Sequence, residues 1–526
     1  MGKHMTDTIG AKLGAIVGRE NVLIDPSKRT FYSTDLSHSG ATASAVVSVS
    51  SSAQLSSVAA LCSAVGIAMI PRGGGFSYTG GYTPVSESSV IVDLRSMNRI
   101  LEINEQDLYV RVEAGCTWER LYQALKKRGL RTPYFGPMSG FNATVGGALS
   151  QGSFFMGSTE YGTVMESVLS VEVVLANGDV VHTGSDSASG VAPFYRNYGP
   201  DLTGMFLADT GALGFKTVAT LKLIEFPSHQ AYASFTFDRG EDALAALSAI
   251  GRKGIAAEAY VWDPFFVEVM STASTGFKQD LAFLGAVVRN SGGLIDGMAA
   301  AARIAIAGKS VFKLGSHMLH VIIDDHSAVG AAHRLKTVRK LAIAQRAQEV
   351  APSVPRALRG TPFTNFNVAE RRSLRRNLPV NSLYPHSRVG EAQKQIWRLF
   401  ETERPEMKSH DVTVGTVYFA VGRNAVCIEP LLYWDDPVQF QHNRVNEVSD
   451  INELARLGDP SPATNYVQAL RSKLRAVMQT QGAVHVQIGK MYNFLTTREP
   501  RVAELVRQIK GAVDPEGLVN PGSLGL

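Results

Sequence analysis

The spacing of apolar positions changes along this 526-residue chain, and each change marks an element. Ala45 to Ser50 is a short apolar run that predicts a strand. Ala53 to Val65 then reads as a helix and Ile67 to Ile70 as a second strand, a small βαβ unit. Two more strands are predicted at Val90–Asp93 and Tyr109–Glu113. Thr117 to Gly129 predicts a helix, with Trp118, Leu121, Tyr122 and Leu125 on one face and Gly129 as its C-terminal stop. Val168 to Thr183 reads as a strand hairpin turning at Asn177-Gly178. From about Phe226 longer helices alternate with strands. His317–Ile323 predicts a strand, and Ser327–Glu349 a long helix with Arg334, Lys336, Arg339 and Lys340 on its polar side. Val412–Val421 and Asn424–Tyr433 form a predicted hairpin around Gly422-Arg423, and Val484–Ile488 a further strand. There is no internal repeat and no low-complexity segment.

Composition narrows the class. An apolar content of 45% with 19% charged residues describes an ordinary globular protein, and the length calls for two or more domains. A net charge of +5 gives no positive case for nucleic acid or a membrane surface. Cys62, Cys116 and Cys427 show neither disulfide nor metal spacing, which suits a reducing cytosol, and a cytoplasmic location is expected. Cys116 reads as structural. No signal peptide is expected, and Met1-Gly2-Lys3-His4-Met5 reads as an expression scar. The most apolar window, Gly293 to Gly308, is broken by Asp296 and Arg303 and falls short of the roughly 20 residues a membrane span needs; a buried or amphipathic helix is expected there.

The candidate chemistry lies in the glycines. Pro71-Arg72-Gly73-Gly74-Gly75-Phe76-Ser77-Tyr78-Thr79-Gly80-Gly81-Tyr82 joins two strands. Its consecutive glycines let backbone N–H groups converge on a phosphate. It lacks the Lys-Ser/Thr pair of a P-loop and the G-x-G-x-x-G spacing of a dinucleotide fingerprint. A second segment runs Phe135-Gly136-Pro137-Met138-Ser139-Gly140-Phe141-Asn142-Ala143-Thr144-Val145-Gly146-Gly147-Ala148-Leu149-Ser150-Gln151-Gly152, followed by Tyr161-Gly162-Thr163. A third is Asp209-Thr210-Gly211-Ala212-Leu213-Gly214-Phe215, and the chain closes on Asp514-Pro515-Glu516-Gly517-Leu518-Val519-Asn520-Pro521-Gly522. In this order they resemble the FAD-binding domain of the vanillyl-alcohol oxidase / p-cresol methylhydroxylase superfamily, over about the first 225 residues and the tail.

The resemblance implies an α+β fold in two parts. A PCMH-type FAD-binding domain would span residues 6–225. A substrate (cap) domain on an antiparallel sheet would span 226–490, and a C-terminal helix and tail, 491–526, would return to the first part. It also implies FAD contacts from Arg72, Gly73, Gly74, Gly75, Phe76, Ser77 and Tyr78 around the pyrophosphate. Ala143, Thr144, Gly146, Gly147, Ser150 and Gly152 would contact it from the other side, with Tyr161 and Gly162 nearby; Gly211, Gly214 and Val218 would flank the adenosine half, and Asn520 of the tail would join them. Covalent attachment in the family uses a histidine just after the first glycines or a cysteine before the Thr-Val-Gly-Gly run. Phe76 and Met138-Ser139-Gly140 stand there, so noncovalent FAD is expected. A link from His386, His410, His442 or a tyrosine of the covering domain stays open.

On the substrate side the chain departs from both branches of the family. The metal-binding histidines of the D-2-hydroxy-acid dehydrogenases are replaced by Phe419, Val426 and Val486, so no metal is expected. The phenolate-holding Tyr-Arg pair of the phenol-oxidising branch is replaced by Val486 and Gln487, although Met97 to Asn104 and Val173 to Gly178 look similar to that branch. Alternation on the predicted strand puts His485 and Gln487 on one face, which makes His485 a candidate base for a substrate proton. Glu429, in an otherwise apolar strand, is either paired or functional. Tyr418, Gln487 and Tyr433 are candidate substrate contacts, Tyr78 is a candidate catalytic residue near a loop tyrosine that contacts phenols in that branch, and Lys490 a candidate partner for charge developing on the reduced flavin. The reading is a flavoenzyme oxidising an aryl alcohol, a phenol or a similar apolar substrate by hydride transfer. The alternatives are a metal-free D-2-hydroxy-acid dehydrogenase and a flavin-binding protein whose activity has decayed. Expected partners are the substrate and an electron acceptor (oxygen, a cytochrome or a quinone), with no nucleic acid. A homodimer stays open, as does docking of a membrane or acceptor protein through Arg371, Arg372, Arg375 and Arg376, against a solvated helix face.

Overall fold

The βαβ unit at the start of the chain builds one end of a four-stranded sheet. In the computed structural model, which describes residues 2–273, 313–363, 375–435 and 461–526, that sheet runs β1 (Val22–Leu23), β2 (Ala45–Ser48), β4 (Ser89–Asp93), β3 (Ala68–Arg72). β2, β4 and β3 are parallel, as a right-handed crossover through the helix Ser52–Ala64 requires. A second, antiparallel sheet is ordered β5 (Ile100–Asn104), β6 (Tyr109–Glu113), β10 (Phe215–Lys222), β8 (Val168–Val174), β9 (Val180–His182). The Trp118–Lys126 helix, capped by the Thr117 hydroxyl, buries Trp118, Leu121, Tyr122 and Leu125 beside it. The two-residue strands β7 (Leu130–Arg131) and β11 (Ile224–Glu225) pair with each other.

Sheet membership changes after β11. The described strands from His229 to Asp435 join one eight-stranded sheet: β12 (His229–Phe237), β13 (Glu258–Trp262), β14 (His317–Asp325), β15 (Gln348–Val350), β16 (Arg375–Pro379), β17 (Ser382–Pro385), β18 (Thr413–Val421) and β19 (Ala425–Asp435). All pairings among its described strands are antiparallel. Four helices, Gly240–Lys253, Ala328–Ile343, Val389–Ser409 and Pro462–Thr480, cover one face through Leu247, Val338, Ile396 and Leu470. The other face turns toward the first half of the chain. The tail returns to the first sheet, where Met69 N donates to Leu518 O (2.7 Å) and Asn520 N to Met69 O (2.8 Å).

The two halves are joined along residues 157–159. Gly157 N donates to Glu258 Oε1 (2.7 Å), Thr159 Oγ1 to the Ala420 carbonyl (2.8 Å) and Gly422 N to the Ser158 carbonyl (2.8 Å). Beside them lies a buried charge quartet. Arg131 pairs with Asp324 (2.9 Å), and Arg359 with Asp324 (3.2 Å) and with Glu258. Burial pushes the Glu258 carboxyl above its ordinary range against the pull of Arg359, whose own proton the two carboxylates hold.

Two predicted elements come out differently. The helix predicted over Ser327–Glu349 stops at Ile343, because Arg346 turns to φ 65° and Gln348–Val350 pairs with β12. No strand forms at Val484–Ile488: Val484 makes one isolated bridge to Leu383, and Gln487 adopts φ 53°. Among the described residues no helix is long and apolar enough to cross a membrane, and no group of three His, Cys, Asp or Glu could hold a metal ion. The Gly293–Gly308 window lies outside the described residues.

Candidate functional site

The first glycine loop leaves β3 and meets the segment at 142–144 so closely that side chains would not fit between them. A Cβ on Gly73 would run into the Thr144 hydroxyl, and one on Gly74 into the Asn142 carbonyl oxygen. Gly146 lies against Ala114, where a Cβ would sit 2.6 Å from the alanine methyl. Gly75 takes φ 79°, a conformation glycine adopts without steric cost, and its carbonyl accepts from the Tyr82 hydroxyl (2.6 Å). Between these walls runs a cleft of about 960 Å³ including its open mouth. Residues 71–77, Ala143, Thr144, Gly146, Gly147, Ser150, Gly211 and Gly214 line it. Its glycine walls fit a ligand that approaches the backbone closely.

Leu94, Ala114 and Lys216 also line the cleft, the last paired with Asp209 at 2.7 Å. At the rim stand Gln151, Ser153 and Gln487. Gln487 N donates to the Gln151 carbonyl (2.7 Å), and the Gln151 side-chain oxygen is buried without a protein donor. That orphaned acceptor suits a ligand offering an N–H group. The guanidinium of Arg72 lies in the cleft wall, stacked over the Tyr32 ring at 4.3 Å.

The rim leads directly to the face of the eight-stranded sheet that turns toward the first half of the chain. Ser153 lines the cleft while the next residue, Phe154, packs on Val421, Cys427 and Val486; Gln487 lines it while Val486 faces that same cluster. Phe419 stands 5.7 Å from Phe154 and 5.4 Å from Phe155, ring centre to ring centre, and is in register with Tyr260. Strand alternation carries this face along β18 and β19 through Val417, Phe419, Cys427, Glu429, Leu431 and Tyr433. Glu429 is the one ionisable carboxyl among them. No described residue donates a hydrogen bond to it, and burial pushes its pKa up to about 7. It lies deep in the fold and is only partly exposed.

Several expected site residues lie elsewhere. Tyr418 points to the helix-covered face, fully buried, within 3.3 Å of the Gln393 amide, because alternation sets it opposite Phe419. His485 stacks on Tyr492 at 4.0 Å, and its Nδ1 is 2.7 Å from the Asn381 carbonyl. Burial lowers its pKa to about 4, and it does not line the cleft. The predicted shared face with Gln487 is lost because the strand does not form. Lys490 donates to the Thr83 carbonyl (2.7 Å) and to Asn520 Oδ1 (2.9 Å), tying the tail to the first loop from behind. Burial lowers its pKa to about 7. Asn520 in turn donates to the carbonyls of Gly81 and Thr210, both at 2.7 Å.

Tyr78 packs against the helix-side core, and its carbonyl receives Arg471 (2.7 Å). Tyr161 lies by Arg131 in a separate recess, with Gly162 ending its short helix; Gly152 is the left-handed cap of helix Val145–Gln151, and Val218 is buried in β10. Of the basic run, Arg376 is buried, stacks on Trp434 at 4.8 Å and donates to the Leu36 carbonyl (3.2 Å), so it belongs to no solvated patch. Arg371 and Arg372 lie outside the described residues, and Arg375 opens β16. His386 has both ring nitrogens engaged, with Ser248 and the Arg423 carbonyl; His410 stacks on Tyr466, and His442 lies outside the described residues. Sequence reasoning passed over Gln151, Ser153, Phe154 and Lys216. Only Lys216 carried a signal, as a charged residue directly after the third glycine cluster.

A family profile described as an FAD binding domain matches residues 43–184. Glycolate oxidase subunit GlcD of Bacillus subtilis is 32% identical over 224 residues, 42% of this chain and 46% of that protein. The flavoprotein subunit of 4-cresol dehydrogenase (hydroxylating) from Pseudomonas putida is 32% identical over 204 residues, 37% of this chain and 38% of that protein. The matches thus span less than half the length of these relatives. A crystal structure of p-cresol methylhydroxylase superposes with a TM-score of 0.72 at 18% identity, covering 99% of this chain and 96% of that one.

Proposed function

Because the chain belongs to the p-cresol methylhydroxylase / vanillyl-alcohol oxidase superfamily of FAD-linked oxidoreductases, we propose that it oxidises an aryl alcohol, a phenol or a similar apolar substrate at the rim of its cleft. The observation that carries this reading is the aromatic wall of Phe154, Phe155 and Phe419, reached from the cleft within one residue and broken only by Glu429. FAD, when bound, supplies the two-electron acceptor for a hydride from the substrate.

Arg72 and the Gly73–Ser77 backbone would hold the pyrophosphate, since a doubly charged anion favours converging N–H groups beside a guanidinium. Thr144, Gly146 and Gly147 would close over it from the opposite wall, and Gln151 would accept from the isoalloxazine N–H. With the dinucleotide between the glycine walls, the substrate is left against the aromatic wall. Water is kept out there by Val417, Leu431 and Tyr433, the flanking positions of the same sheet face. Glu429 takes the hydroxyl proton of the substrate: a carboxyl with a pKa of about 7 is half ionised at neutral pH and lacks a competing donor. An anionic 2-hydroxy acid would instead meet that carboxyl, with no lysine or arginine among the named wall positions.

An anaerobic flavin-bleaching screen with aryl alcohols, alkylphenols and 2-hydroxy acids tests the proposal. Bleaching by the first two classes is expected. Bleaching by 2-hydroxy acids alone would replace the reading with the hydroxy-acid one, and bleaching by none would leave a flavin-binding protein without this activity.

A further inference from the structure

The fold does not account for Lys216. It stands in β10 between Phe215 and Thr217 with a side chain only 3% exposed, and its ammonium makes a single hydrogen bond among the described residues, to Asp209 Oδ1 at 2.7 Å. Asp209 has no need of it to fix the turn, because its two oxygens already accept from Gly211 N (2.9 Å) and Leu213 N (3.2 Å). A buried ion pair of this kind is often no more stabilising than apolar residues of the same volume. An ammonium carries three donors, so two remain beyond the bond to Asp209. Lys216 contributes to the cleft wall.

Its place along the cleft narrows what those donors can meet. Thr217, the next residue, accepts from Ala114 N (2.8 Å), Ala114 O accepts from Gly146 N (2.8 Å), and Leu94 N donates to the Arg72 carbonyl (2.9 Å). These contacts set Lys216 beside Ala114 and Gly146, in the wall that faces the first loop. The aromatic wall is reached instead through Ser153 and Gln487. A flavin that reacts at the aromatic wall leaves its adenosine-diphosphate half to the glycine walls, among which Lys216 stands.

We propose that Lys216, held by Asp209, is the residue that reads the adenosine-diphosphate half of the cofactor, donating to an acceptor there and selecting the dinucleotide over a bare flavin. The inference rests on the flavin reading above. It adds a second cationic contact, separate from Arg72.

Titration calorimetry on the full-length protein, freed of flavin by dialysis against concentrated bromide, tests it with FAD, ADP, adenosine and riboflavin as ligands. Lys216→Met is expected to weaken FAD and ADP about 10- to 100-fold, the worth of one charge-assisted hydrogen bond, and to leave riboflavin unchanged. ADP weakened with adenosine unchanged puts the contact on a phosphate; both weakened puts it on the nucleoside. The double variant Lys216→Met/Asp209→Asn removes the pair without leaving a buried lone charge, and the same loss is expected from it with wild-type thermal stability. FAD and ADP binding within twofold of wild type in that variant, or an equal loss of riboflavin, overturns the inference. Wild-type protein that binds no FAD overturns the flavin reading instead, and this inference with it.

Discussion

Arg359→Met tests the charge quartet that joins the two halves of the chain. The substitution removes one of two cations from a cluster in which all four side chains are at most 4% exposed. It keeps apolar volume over the Phe135 ring, which the Arg359 guanidinium covers at 5.1 Å. Arg131 still answers Asp324, but Glu258 keeps only the Gly157 N–H. Its carboxylate must then stay charged without a counterion or take up a proton. Protonating a carboxyl of ordinary pKa costs about 3.7 kcal/mol at pH 7 and about 1.6 kcal/mol at pH 5.5. That route caps the charge penalty within the roughly 3–5 kcal/mol range for a broken buried pair. In the variant the folded-state pKa of Glu258 rises further above its unfolded value. The destabilisation is therefore full at neutral pH and is relieved as pH falls toward the unfolded pKa. Urea unfolding at pH 7 and 5.5, read from the midpoint at constant slope, should show the deficit shrinking by about half. Arg359→Met/Glu258→Gln leaves a neutral Arg131–Asp324 pair and should recover most of the loss at pH 7. A single variant within about 1 kcal/mol of wild type at pH 7, or a deficit independent of pH, would refute the argument.

Glu429→Gln should slow flavin reduction about 10² to 10⁴-fold in anaerobic stopped flow, as loss of a general base does, while FAD stays bound. The wild-type rate should rise with pH through about 7, as Glu429 ionises, and the variant should lose that limb. Acid or heat should release the flavin intact, since Phe76 and Met138-Ser139-Gly140 offer neither of the familiar attachment atoms; flavin that stays with the denatured polypeptide would locate a link elsewhere. EDTA should leave flavin reduction unchanged, and restoration of lost turnover by zinc or manganese would refute the expectation drawn from Phe419, Val426 and Val486.

What was legible in the sequence was local. Three consecutive glycines and the Thr144-Val145-Gly146-Gly147 run announced close backbone approach, and the structure shows the two segments meeting at Gly73 and Thr144. The hairpin around Gly422 was readable because alternation and turn chemistry agreed. The paired strands group Glu429 with Tyr433 and set Tyr418 opposite Phe419, whereas the sequence reading named Tyr418, Glu429 and Tyr433 together as site candidates. Alternation could not say which face looks toward the cleft, because that depends on the helices Gly240–Lys253 and Val389–Ser409 covering the other side. At 484–488 the pattern misled: Gln487 and Gly489 both take positive φ, which breaks the alternation and turns His485 toward Asn381. The quartet was invisible, since Arg131 and Asp324 lie far apart in the chain and neither stands in a motif.

The junctions Ser153–Phe154 and Val486–Gln487 each hand the chain from one ligand surface to the other in a single residue. This sets how the protein tolerates change. Substitutions at Phe154 or Val486 reshape one surface and leave the other intact. Deleting or inserting one residue at either junction exchanges them, offering an apolar side chain to the dinucleotide and a polar one to the aromatic wall. Libraries that vary side chains here can therefore shift substrate preference gradually, whereas length variation would forfeit both ligands at once.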